Sequence, residues 1–532
     1  MAKKNFVVGI GGTGARVIES MLFLSAAGYG PEELGVIIVD PDSGNGNLDR
    51  TLKLISEYQA CRAKISELHQ YGVPLFKTEI KTAPTPSWGV FEGDWKKNPD
   101  NTTLSNIIEY PKINNSDKNL AGLVDLLFTK EELDTKLTEG FRGHPSIGAV
   151  AMAQNPPYDS AWKILFDAIK DPNCQINDVG VFLIGSIFGG TGASGMPTFA
   201  NPSILKKNPD ASVGEKSKVV LGGALVLPYF SFASDPEKES KEKVFVKSDS
   251  FALATKAALR FYAEKGLAYD ELYLIGDSLN QETGKFATGK GDQRNNPHYI
   301  EIVTSLAAFD FFQNNSYRTV TDEIKKTSYF LSGRSNRTVT WDDFPVTRNA
   351  TNDSAAFDFK RTLITMTVLS YAYATYGMFV NDNPKDPEAS AATWYRDTFK
   401  EKDRNTDKDP RTEANRKTLK LLEAFFLKYI DWIYLISTQD NVNLIKTDNL
   451  IKKSGNEEEE AQLYNWQSYP EKIGSLLKDS SQQQNMRNFI DKFLNLKTSE
   501  IADKDLKSAA NIYLELFYKA SEAFTKSNYP VK

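Results

Sequence analysis

The chain has 532 residues and a formal net charge of −5, and 40% of its residues are hydrophobic and 25% charged. This length is too great for one simple core, so two or three domains are expected, and the composition is that of an ordinary globular protein. The slightly acidic balance argues against nucleic acid or an anionic membrane surface as the main partner. No stretch approaches the ~20 apolar residues that a membrane helix needs.

Cysteine usage and the first residues indicate the compartment. Cys61 and Cys174 are far apart and form no CxxC pattern, so neither a disulfide framework nor a structural zinc site is expected. Residues 1–14 carry two lysines and a short apolar run, but glycines interrupt the run and no cleavage site follows. The sequence therefore predicts a cytoplasmic protein without a signal peptide or a transmembrane segment.

The first predicted elements have the order of a nucleotide-binding sheet. Phe6–Ile10 is a short β-rich run that ends in glycines, and Ala15–Ser25 has the apolar spacing of a helix. Val36–Val39 has the composition of a second buried strand and is followed by Asp40. A strand, a glycine loop, a helix, a strand and an acidic residue are typical of a parallel sheet. We therefore expect an α/β fold with a Rossmann-like domain over residues 1–315.

The region from about residue 50 to 140 is less regular and is predicted to be an insertion or an elaborated helical layer. It is expected to contain helices around Leu52–Tyr71 and near Leu120–Leu127. The elements expected next are strands at Val179–Gly185, Val219–Leu227 and Leu272–Ile275, and a helix at Phe251–Glu264. A central helix is predicted over 296–313, because Pro297 suits a first helical turn and one face is apolar.

Beyond residue 315 the pattern changes, and a second domain is predicted over 316–532, mostly helical at its C-terminal end. Val339–Phe344 is expected to be a strand and loop, and Arg361–Tyr376 an apolar, buried helix. Further helices are expected at Leu419–Ile436, Glu457–Trp466, Gln484–Leu496 and Leu506–Lys526.

The first glycine-rich loop follows the first strand and contains Gly11, Gly12, Thr13 and Gly14. Glycine is needed where a phosphate must approach the backbone closely or where φ is positive. Backbone N–H groups at the start of the next helix then point at the anion. Arg16 either adds positive charge to this site or faces solvent.

This loop by itself leaves three interpretations open. It fits a phosphate site, and it equally fits a Rossmann dinucleotide site in which Asp40 holds a ribose. It also fits a tight turn from strand to helix that binds no ligand.

A second glycine-rich loop narrows these interpretations. It follows the strand Val181–Ile184 and includes Gly189, Gly190, Thr191, Gly192, Ala193, Ser194 and Gly195. Two anion-binding loops at the ends of two strands do not suit a simple dehydrogenase. They indicate one nucleotide that is held by several loops at the edge of one sheet.

With both loops present, the chain resembles the tubulin/FtsZ superfamily over about Phe6 to Phe312. The second loop matches the signature loop of that family, GGTG followed by small residues and glycine, and Gly9–Gly14 resembles its first loop. Further similar segments follow in the family order: Val39–Asn45, Gly143–Gly148, Leu227–Phe232 and Asp270–Leu279. A closer likeness is to the divergent bacterial tubulin-like proteins, which also carry an Asn-Pro start to the central helix.

The resemblance implies a GTPase that binds GTP or GDP with Mg²⁺ and assembles head to tail into filaments, with the nucleotide at the subunit interface. It implies nucleotide contacts from the first loop, from Asp40, Gly143 and Gly148, from the whole second loop, and from Pro228 and Asn296. Mg²⁺ is implied by a bound triphosphate and keeps several waters, and Asp40 or Asp42 could reach it through water. Asp42 is the predicted metal residue. An alternative for Asp40 is that it binds a backbone amide at the end of its strand.

Catalysis in the family needs an acidic loop from the next subunit. Asp342 and Asp343 lie between the predicted central helix and the helix at Arg361, and they faintly resemble that loop. A group there would orient the attacking water. The alternative is that both aspartates cap or solvate a turn.

Base recognition departs from the family pattern, since Gly276-Asp277 stands in place of a Pro-Asn-Asp sequence. Asn280, Asn295 and Asn296 are candidates for the missing purine-reading asparagine, and adenine stays open as the base.

Two other functions remain open at this point. One is a nucleotide-binding scaffold that has lost turnover, which the altered base pocket favours. The other is an NAD(P)-binding oxidoreductase that uses the first loop and Asp40. The partner expected from the resemblance is a second copy of this chain, and an unidentified protein partner is also compatible with the sequence.

Overall fold

The computed structural model describes residues 4–91, 102–141, 143–154, 160–175, 178–201, 219–233, 250–265, 267, 269–277, 281–285, 294–316, 327–331, 338–344, 354–381, 393–445, 493–498, 500 and 505–528. The chain divides into two compact units. Unit 1 comprises Met1–Met21, Glu33–Lys53 and Ile80–Ser335. Unit 2 comprises Leu22–Glu32, Leu54–Glu79 and Asn336–Lys532. The boundary that the sequence predicts after residue 315 therefore falls within unit 1.

The described residues contain ten strands. They are β1 Lys4–Ile10, β2 Glu33–Val39, β3 Glu79–Lys81, β4 Ser87–Trp88, β5 Val179–Ser186, β6 Val219–Val226, β7 Phe230–Ala233, β8 Glu271–Ile275, β9 Gln281–Lys285 and β10 Thr327–Leu331. Eight of them form a mainly parallel sheet in the order β10-β8-β6-β5-β1-β2-β3, with β4 paired to β2. Strands β7 and β9 form a separate two-stranded parallel sheet.

Helices account for most of the other regular structure. The helices are α1 Gly11–Ala26, α2 Gly46–Ile65, α3 Leu104–Ile107, α4 Tyr110–Ser116, α5 Lys118–Leu127, α6 Lys130–Leu133, α7 Pro145–Gln154, α8 Lys163–Lys170, α9 Gly190–Phe199, α10 Phe251–Lys265, α11 Tyr299–Ser316, α12 Ser354–Asn381, α13 Thr393–Thr398, α14 Glu413–Ser437 and α15 Ala509–Asn528. Short 3₁₀ helices occur at Ser66–Tyr71, Leu137–Glu139, Ser160–Trp162, Trp341–Asp343 and Glu401–Asp403.

The strand order of the large sheet reverses between β1 and β5. Strand β1 pairs in parallel with β2 on one side and with β5 on the other, so that Ile10 lies opposite both Val39 and Gly185. Strands β6, β8 and β10 then extend the sheet beyond β5. In an open parallel sheet, ligands bind outside the carboxyl ends of the strands at such a reversal. The predicted α/β class with a parallel sheet is confirmed, and both glycine-rich loops leave the sheet at this position.

Helices cover both faces of this sheet. Strand β5 is buried along its whole length, and successive side chains point to opposite faces. Phe182 packs against Phe311 of α11, with ring centroids 5.3 Å apart. Leu183 belongs to the cluster on the other face, which includes Phe199 of α9. A strand buried on both faces has a continuous apolar sequence, which explains why β5 could be predicted.

The ends of the predicted central helix need a correction. The sequence predicts this helix over 296–313, but α11 starts at Tyr299 and ends at Ser316. It starts late because His298 caps it: the His298 backbone N–H donates to Glu301 Oε2 at 3.1 Å, and the Ile300 N–H donates to His298 Nδ1 at 3.2 Å. An imidazole in a capping position carries no strong sequence signal.

Unit 2 has an aromatic core of its own, in which α14 contacts both α12 and α15. Phe425 of α14 lies 5.6 Å from the ring of Phe23 and 4.8 Å from that of Phe76. The ring of Tyr58 lies 6.3 Å from the same phenylalanine. Because these three rings come from Leu22–Glu32 and Leu54–Glu79, these N-terminal segments belong to unit 2 and not to a continuous N-terminal domain.

The described part of unit 2 is largely helical, as expected. The helices predicted at Arg361–Tyr376 and Leu419–Ile436 lie within α12 and α14, and the one predicted at Leu506–Lys526 corresponds to α15. Glu457–Trp466 lies outside the described residues, and Gln484–Leu496 lies inside them only from residue 493. Across the described ranges, no helix has both the length and the apolar character that crossing a bilayer requires.

The aromatic core of unit 2 predicts the effect of a truncation. Phe425 is fully buried, so Phe425→Ala removes its ring contacts and leaves a cavity. We expect the free energy of unfolding of unit 2 to fall by about 3–5 kcal/mol, measured by thermal and urea denaturation followed by circular dichroism. Leu496→Ala, at a side chain that is 59% exposed, is the control. Equal losses for the two variants would contradict this role of Phe425.

Candidate functional site

A cleft opens in unit 1 at the carboxyl ends of β1 and β5. Its volume is about 820 Å³, including the mouth that is open to solvent. It is lined by Gly11, Gly12, Thr13, Arg16, Asp40, Asp42, Asn45, Asn47, Gly140, Phe141, Gly143, Ser186, Phe188, Gly189, Gly190, Thr191, Gly192, Phe230, Phe232, Phe251 and Asn295.

The two glycine-rich loops lie against each other in this cleft. Gly11 has a φ of +71°, and a Cβ at this position would lie 3.3 Å from the Cβ of Thr191. A Cβ on Gly12 would lie 3.4 Å from Nδ2 of Asn47. The loops meet because parallel neighbouring strands end at the same edge of the sheet. One anion can therefore contact both loops.

Two helix N-termini open into the cleft. Helix α1 begins at Gly11 and α9 at Gly190, and both residues line the cleft. The N-cap of α9 is Gly189, which has no side chain that could cap the helix. The first N–H groups of a helix have no partner within it, and the helix dipole adds partial positive charge there. Both ends are thus suited to a phosphate or another small anion.

Several of the predicted nucleotide contacts serve packing next to the cleft. A Cβ on Gly14 would lie 2.5 Å from the backbone carbon of Gly9, and one on Gly195 would lie 2.7 Å from Ile10 Cγ2. A Cβ on Gly148 would lie 2.3 Å from Ser194 Oγ. These small residues let α1, α7 and α9 approach the strands and one another. The predicted contacts that do not line the cleft are Gly14, Gly148, Ala193, Ser194, Gly195, Pro228 and Asn296.

The predicted contacts that do not line the cleft either form hydrogen bonds with neighbouring residues or lie away from the cleft. Ser194 Oγ donates to the Gly190 carbonyl at 2.8 Å, and the Ala193 carbonyl accepts from the Tyr262 hydroxyl at 2.8 Å. Pro228 is half-buried between β6 and β7, and Asn296 is exposed before α11. The predicted contacts that do line the cleft are Gly11, Gly12, Thr13, Asp40, Asp42, Gly143, Gly189, Gly190, Thr191 and Gly192.

Arg16 is a buried cation in the wall of the cleft. It is 2% exposed, and its Nε lies 2.9 Å from Glu301 Oε1. Its Nη2 donates to the Tyr229 hydroxyl, and the Tyr229 hydroxyl donates to Glu301 Oε1 at 3.2 Å. Burial raises the pKa of the Glu301 carboxyl, and the Arg16 guanidinium offsets part of this shift. The sequence allowed Arg16 either to add positive charge to the site or to face solvent, and the second of these is wrong.

Asp40 and Asp42 form the acidic side of the cleft. Asp40 Oδ1 accepts from the Asp42 N–H at 3.0 Å, and Oδ2 accepts from Asn45 Nδ2 at 3.4 Å. Burial raises the pKa of Asp40 to about 8, although the hydrogen bond from the Asp42 amide lowers it in part. Asp40 therefore binds a backbone amide at the end of its strand, and both of its carboxyl oxygens accept hydrogen bonds within the protein.

The structure leaves Asp42 as the acidic residue suited to a cation. Within the described ranges, no three His, Cys, Asp or Glu side chains come together as a metal-binding group. Magnesium bound with a nucleotide needs only one or two protein carboxylates, because phosphates and waters supply the other ligands. Asp42 lines the cleft and accepts from the Gly44 N–H at 3.0 Å, so it is compatible with that smaller role.

An amide pair lies at the same end of the cleft. The Asn295 N–H donates to Asn47 Oδ1 at 2.9 Å, and Asn47 Nδ2 donates to Asn295 Oδ1 at 3.1 Å. Arg50 donates to the Asn295 carbonyl at 3.2 Å. Asn295 is therefore the candidate base-reading asparagine that lines the cleft, and its Oδ1 already accepts a hydrogen bond from Asn47. Asn296 is exposed, and Asn280 lies outside the described residues.

The segment before α7 covers the second glycine-rich loop. Gly140, Phe141 and Gly143 line the cleft, and a Cβ on Gly190 would lie 2.9 Å from the Gly143 nitrogen. Next to them, His144 Nδ1 lies 2.9 Å from Glu132 Oε1. A side chain at position 190 would therefore push this segment away from the loop.

Asp342 and Asp343 belong to unit 2, where they make local contacts. Asp343 Oδ2 accepts from the backbone N–H of Thr340 at 2.7 Å and from its hydroxyl at 2.9 Å. Asp342 Oδ1 lies 2.9 Å from Lys360 Nζ. These contacts match the alternative reading, in which the aspartates cap a turn, and the catalytic role stays a prediction.

The aromatic side of the cleft was not anticipated. It consists of Phe188, Phe230, Phe232 and Phe251. Phe188 directly precedes the second loop, and Phe230 and Phe232 belong to the segment 227–232, so a local signal existed for three of them. Phe251 is distant in sequence and reaches the cleft only because α10 begins there.

No protein-family model matches the chain, and no curated protein is significantly similar to it. The geometry of the cleft is therefore the basis for inferring the function.

The raised pKa of Asp40 predicts how stability depends on pH. Between its ordinary pKa of 3.8 and about 8, the folded protein binds a proton that the unfolded chain does not. Stability should therefore fall as the pH rises through this window. In Asp40→Asn we expect a flatter curve of melting temperature against pH, measured in EDTA without nucleotide. Asp49→Asn, at a side chain that is 45% exposed, should keep the wild-type curve. Parallel curves for wild type and Asp40→Asn would contradict this assignment.

Proposed function

We propose that this protein is a tubulin-like, GTP-binding protein whose cleft holds the triphosphate between its two glycine-rich loops. The single observation that carries the proposal is the contact between these loops, where Gly11 and Thr191 approach at the reversal of strand order. A simple dinucleotide fold uses one such loop. The resemblance to the tubulin/FtsZ superfamily, which runs along the chain in the family order, supports GTP as the nucleotide.

The residues present fit a phosphate chain with a bound cation. The N–H groups at the starts of α1 and α9 would bind phosphate oxygens, and the small residues leave room for the close approach. Arg16 contributes positive charge to the wall, although Glu301 balances part of it. Asp42 would hold Mg²⁺ together with waters and phosphate oxygens.

Self-assembly is the second part of the proposal, and it rests on the resemblance. A head-to-tail contact is heterologous, and such contacts produce open filaments when the rotation does not close. Each added subunit would then bring the segment with Asp342 and Asp343 to the nucleotide of its neighbour, where a carboxylate can orient the attacking water.

A nucleotide-binding scaffold without turnover is the second candidate. The observation in its favour is that both predicted catalytic carboxylates are engaged locally, Asp343 with Thr340 and Asp342 with Lys360. An NAD(P)-dependent oxidoreductase is less well supported. Asp40, which would hold a ribose there, accepts hydrogen bonds within the protein on both carboxylate oxygens.

Nucleotide binding can be tested by thermal stability. A ligand that binds only the folded state at 100 times its Kd adds about 2.7 kcal/mol to the free energy of unfolding. We expect GTP and GDP to raise the melting temperature by several degrees and NAD to leave it unchanged, with ATP showing how far the base matters. A shift with NAD alone would contradict the proposal and favour the oxidoreductase.

Two variants locate this binding in the cleft. Gly190→Val should abolish the nucleotide shift, because its side chain would displace the segment that holds Gly143. Thr191→Ala is a milder change that removes one hydroxyl and should reduce the shift. Gly122→Val is the matched control, because an added Cβ there meets nothing within 4 Å. Equal shifts in the wild type and in both cleft variants would place the nucleotide elsewhere.

Assembly and turnover form a separate test. We expect light scattering and pelleting that require both GTP and Mg²⁺, and phosphate release that rises more steeply than protein concentration as subunits associate. Asp42→Asn should weaken the Mg²⁺ dependence, whereas Asp49→Asn should not. Nucleotide binding without phosphate release at any protein concentration would favour the scaffold. Light scattering that does not depend on GTP and Mg²⁺ would contradict the filament proposal.

A further inference from the structure

The cleft has an apolar side in addition to its phosphate loops and its acidic side. Phe188 and Phe251 lie with ring centroids 4.7 Å apart, and Phe188 and Phe230 lie 5.5 Å apart. Phe232 adds a ring 5.4 Å from Phe230 and 6.1 Å from Phe251. All four line the cleft. We call this group the phenylalanine wall.

The phenylalanine wall shares no residue with the hydrophobic cluster that lies on and around β1, β2, β5 and β6 of unit 1. Phe188 is joined directly to Gly189 at the start of the second loop. Arg16 lies over the Phe230 ring, with its guanidinium carbon 5.3 Å from the centroid, and this contact helps to hold the ring beside the loops.

A site for inorganic anions alone has no use for such a wall, since polar groups would line it throughout. Four apolar rings beside two phosphate loops suit a ligand with a charged part and a flat, apolar part. Aromatic rings stack on such parts in offset or edge-on arrangements. The two phosphate loops and Asp42 line the same cleft as these rings, so the charged part and a cation have partners beside the wall.

From this arrangement we infer that the phenylalanine wall binds the base of the nucleotide by stacking. The base then lies on Phe232, the partly buried ring of the wall, because Phe188, Phe230 and Phe251 are buried against one another. The terminal phosphate lies toward Asp42. This inference rests on the proposed function and adds the direction in which the nucleotide lies. It also assigns base binding to residues other than Asn295 and Asn296.

Stacking on these rings does not distinguish one base from another. Phenylalanine has no hydrogen-bond donor or acceptor in its side chain, and every base offers a flat face. The side-chain oxygens of Asn47 and Asn295, which could read a base edge, already accept hydrogen bonds: Asn295 Oδ1 from Asn47 Nδ2, and Asn47 Oδ1 from the Asn295 backbone N–H. The wall therefore adds affinity for a nucleoside over a bare phosphate chain, equally for guanine and adenine.

The test compares three probes on the full chain by calorimetry: GTP, ATP and inorganic tripolyphosphate, each with Mg²⁺. We expect Phe232→Leu to weaken GTP and ATP binding by about tenfold, as removal of one stacking ring does elsewhere, and Phe188→Leu, at a ring that is 4% exposed, to weaken it less. Tripolyphosphate should bind unchanged, because the loops are intact. Phe312→Leu is the matched control: it is a buried phenylalanine, 3% exposed, that does not line the cleft.

The outcomes separate this inference from the proposed function. Wild-type protein that binds tripolyphosphate as tightly as GTP overturns the stacking role and leaves the phosphate site standing. Equal losses for tripolyphosphate and GTP in the Phe→Leu variants also overturn it, since the rings then only support the loops. A variant that loses affinity for GTP but not for ATP overturns the conclusion that the wall binds guanine and adenine equally. Wild-type protein that binds none of the probes overturns both proposals. Melting curves without ligand confirm that each variant is folded.

Discussion

The parallel pairing of β1 with β5 is the constraint on which the rest of the site depends. These strands are distant in sequence, yet Ile10 lies opposite Gly185, so the loops that follow them leave the sheet side by side. This register explains why Gly11 lies against Thr191. It also explains why the N-termini of α1 and α9 line one cleft. A shift of one residue would turn the buried side chains of β5 to the opposite face, so the register is fixed by the core.

A second constraint is the cost of placing a cation inside the wall of the cleft. Arg16 is balanced by Glu301 and by the Tyr229 hydroxyl, which come from α11 and from the segment after β6. An unpaired buried charge would be strongly destabilising, so these three groups depend on one another. Because Glu301 lies in the first turn of α11, the group links the first loop to the start of that helix. His298 packs edge-on against Tyr229, with centroids 4.9 Å apart, and extends the link.

The glycine-rich loops and the buried strands could be predicted because their signals are local. A loop that must approach a phosphate needs glycine at the positions concerned, and a strand buried on both faces is apolar throughout. Strands β3, β4, β7, β9 and β10 were missed, and so was the start of α11, where His298 supplies the cap. The contribution of Leu22–Glu32 to unit 2 was missed as well, because Phe23 meets Phe425 only after folding.

The sequence by itself determined the α/β class, the two glycine-rich loops and the acidic residues after β2, since each depends on neighbours in the chain. Only the tertiary structure decided which of those residues share a cleft, that Gly14 and Gly195 pack against strands, and that Arg16 is buried. It also decided that Phe251 joins Phe188 beside the loops. The physical reason is that burial, charge pairing and aromatic contact depend on distances in space, and these distances are set by strand order and register.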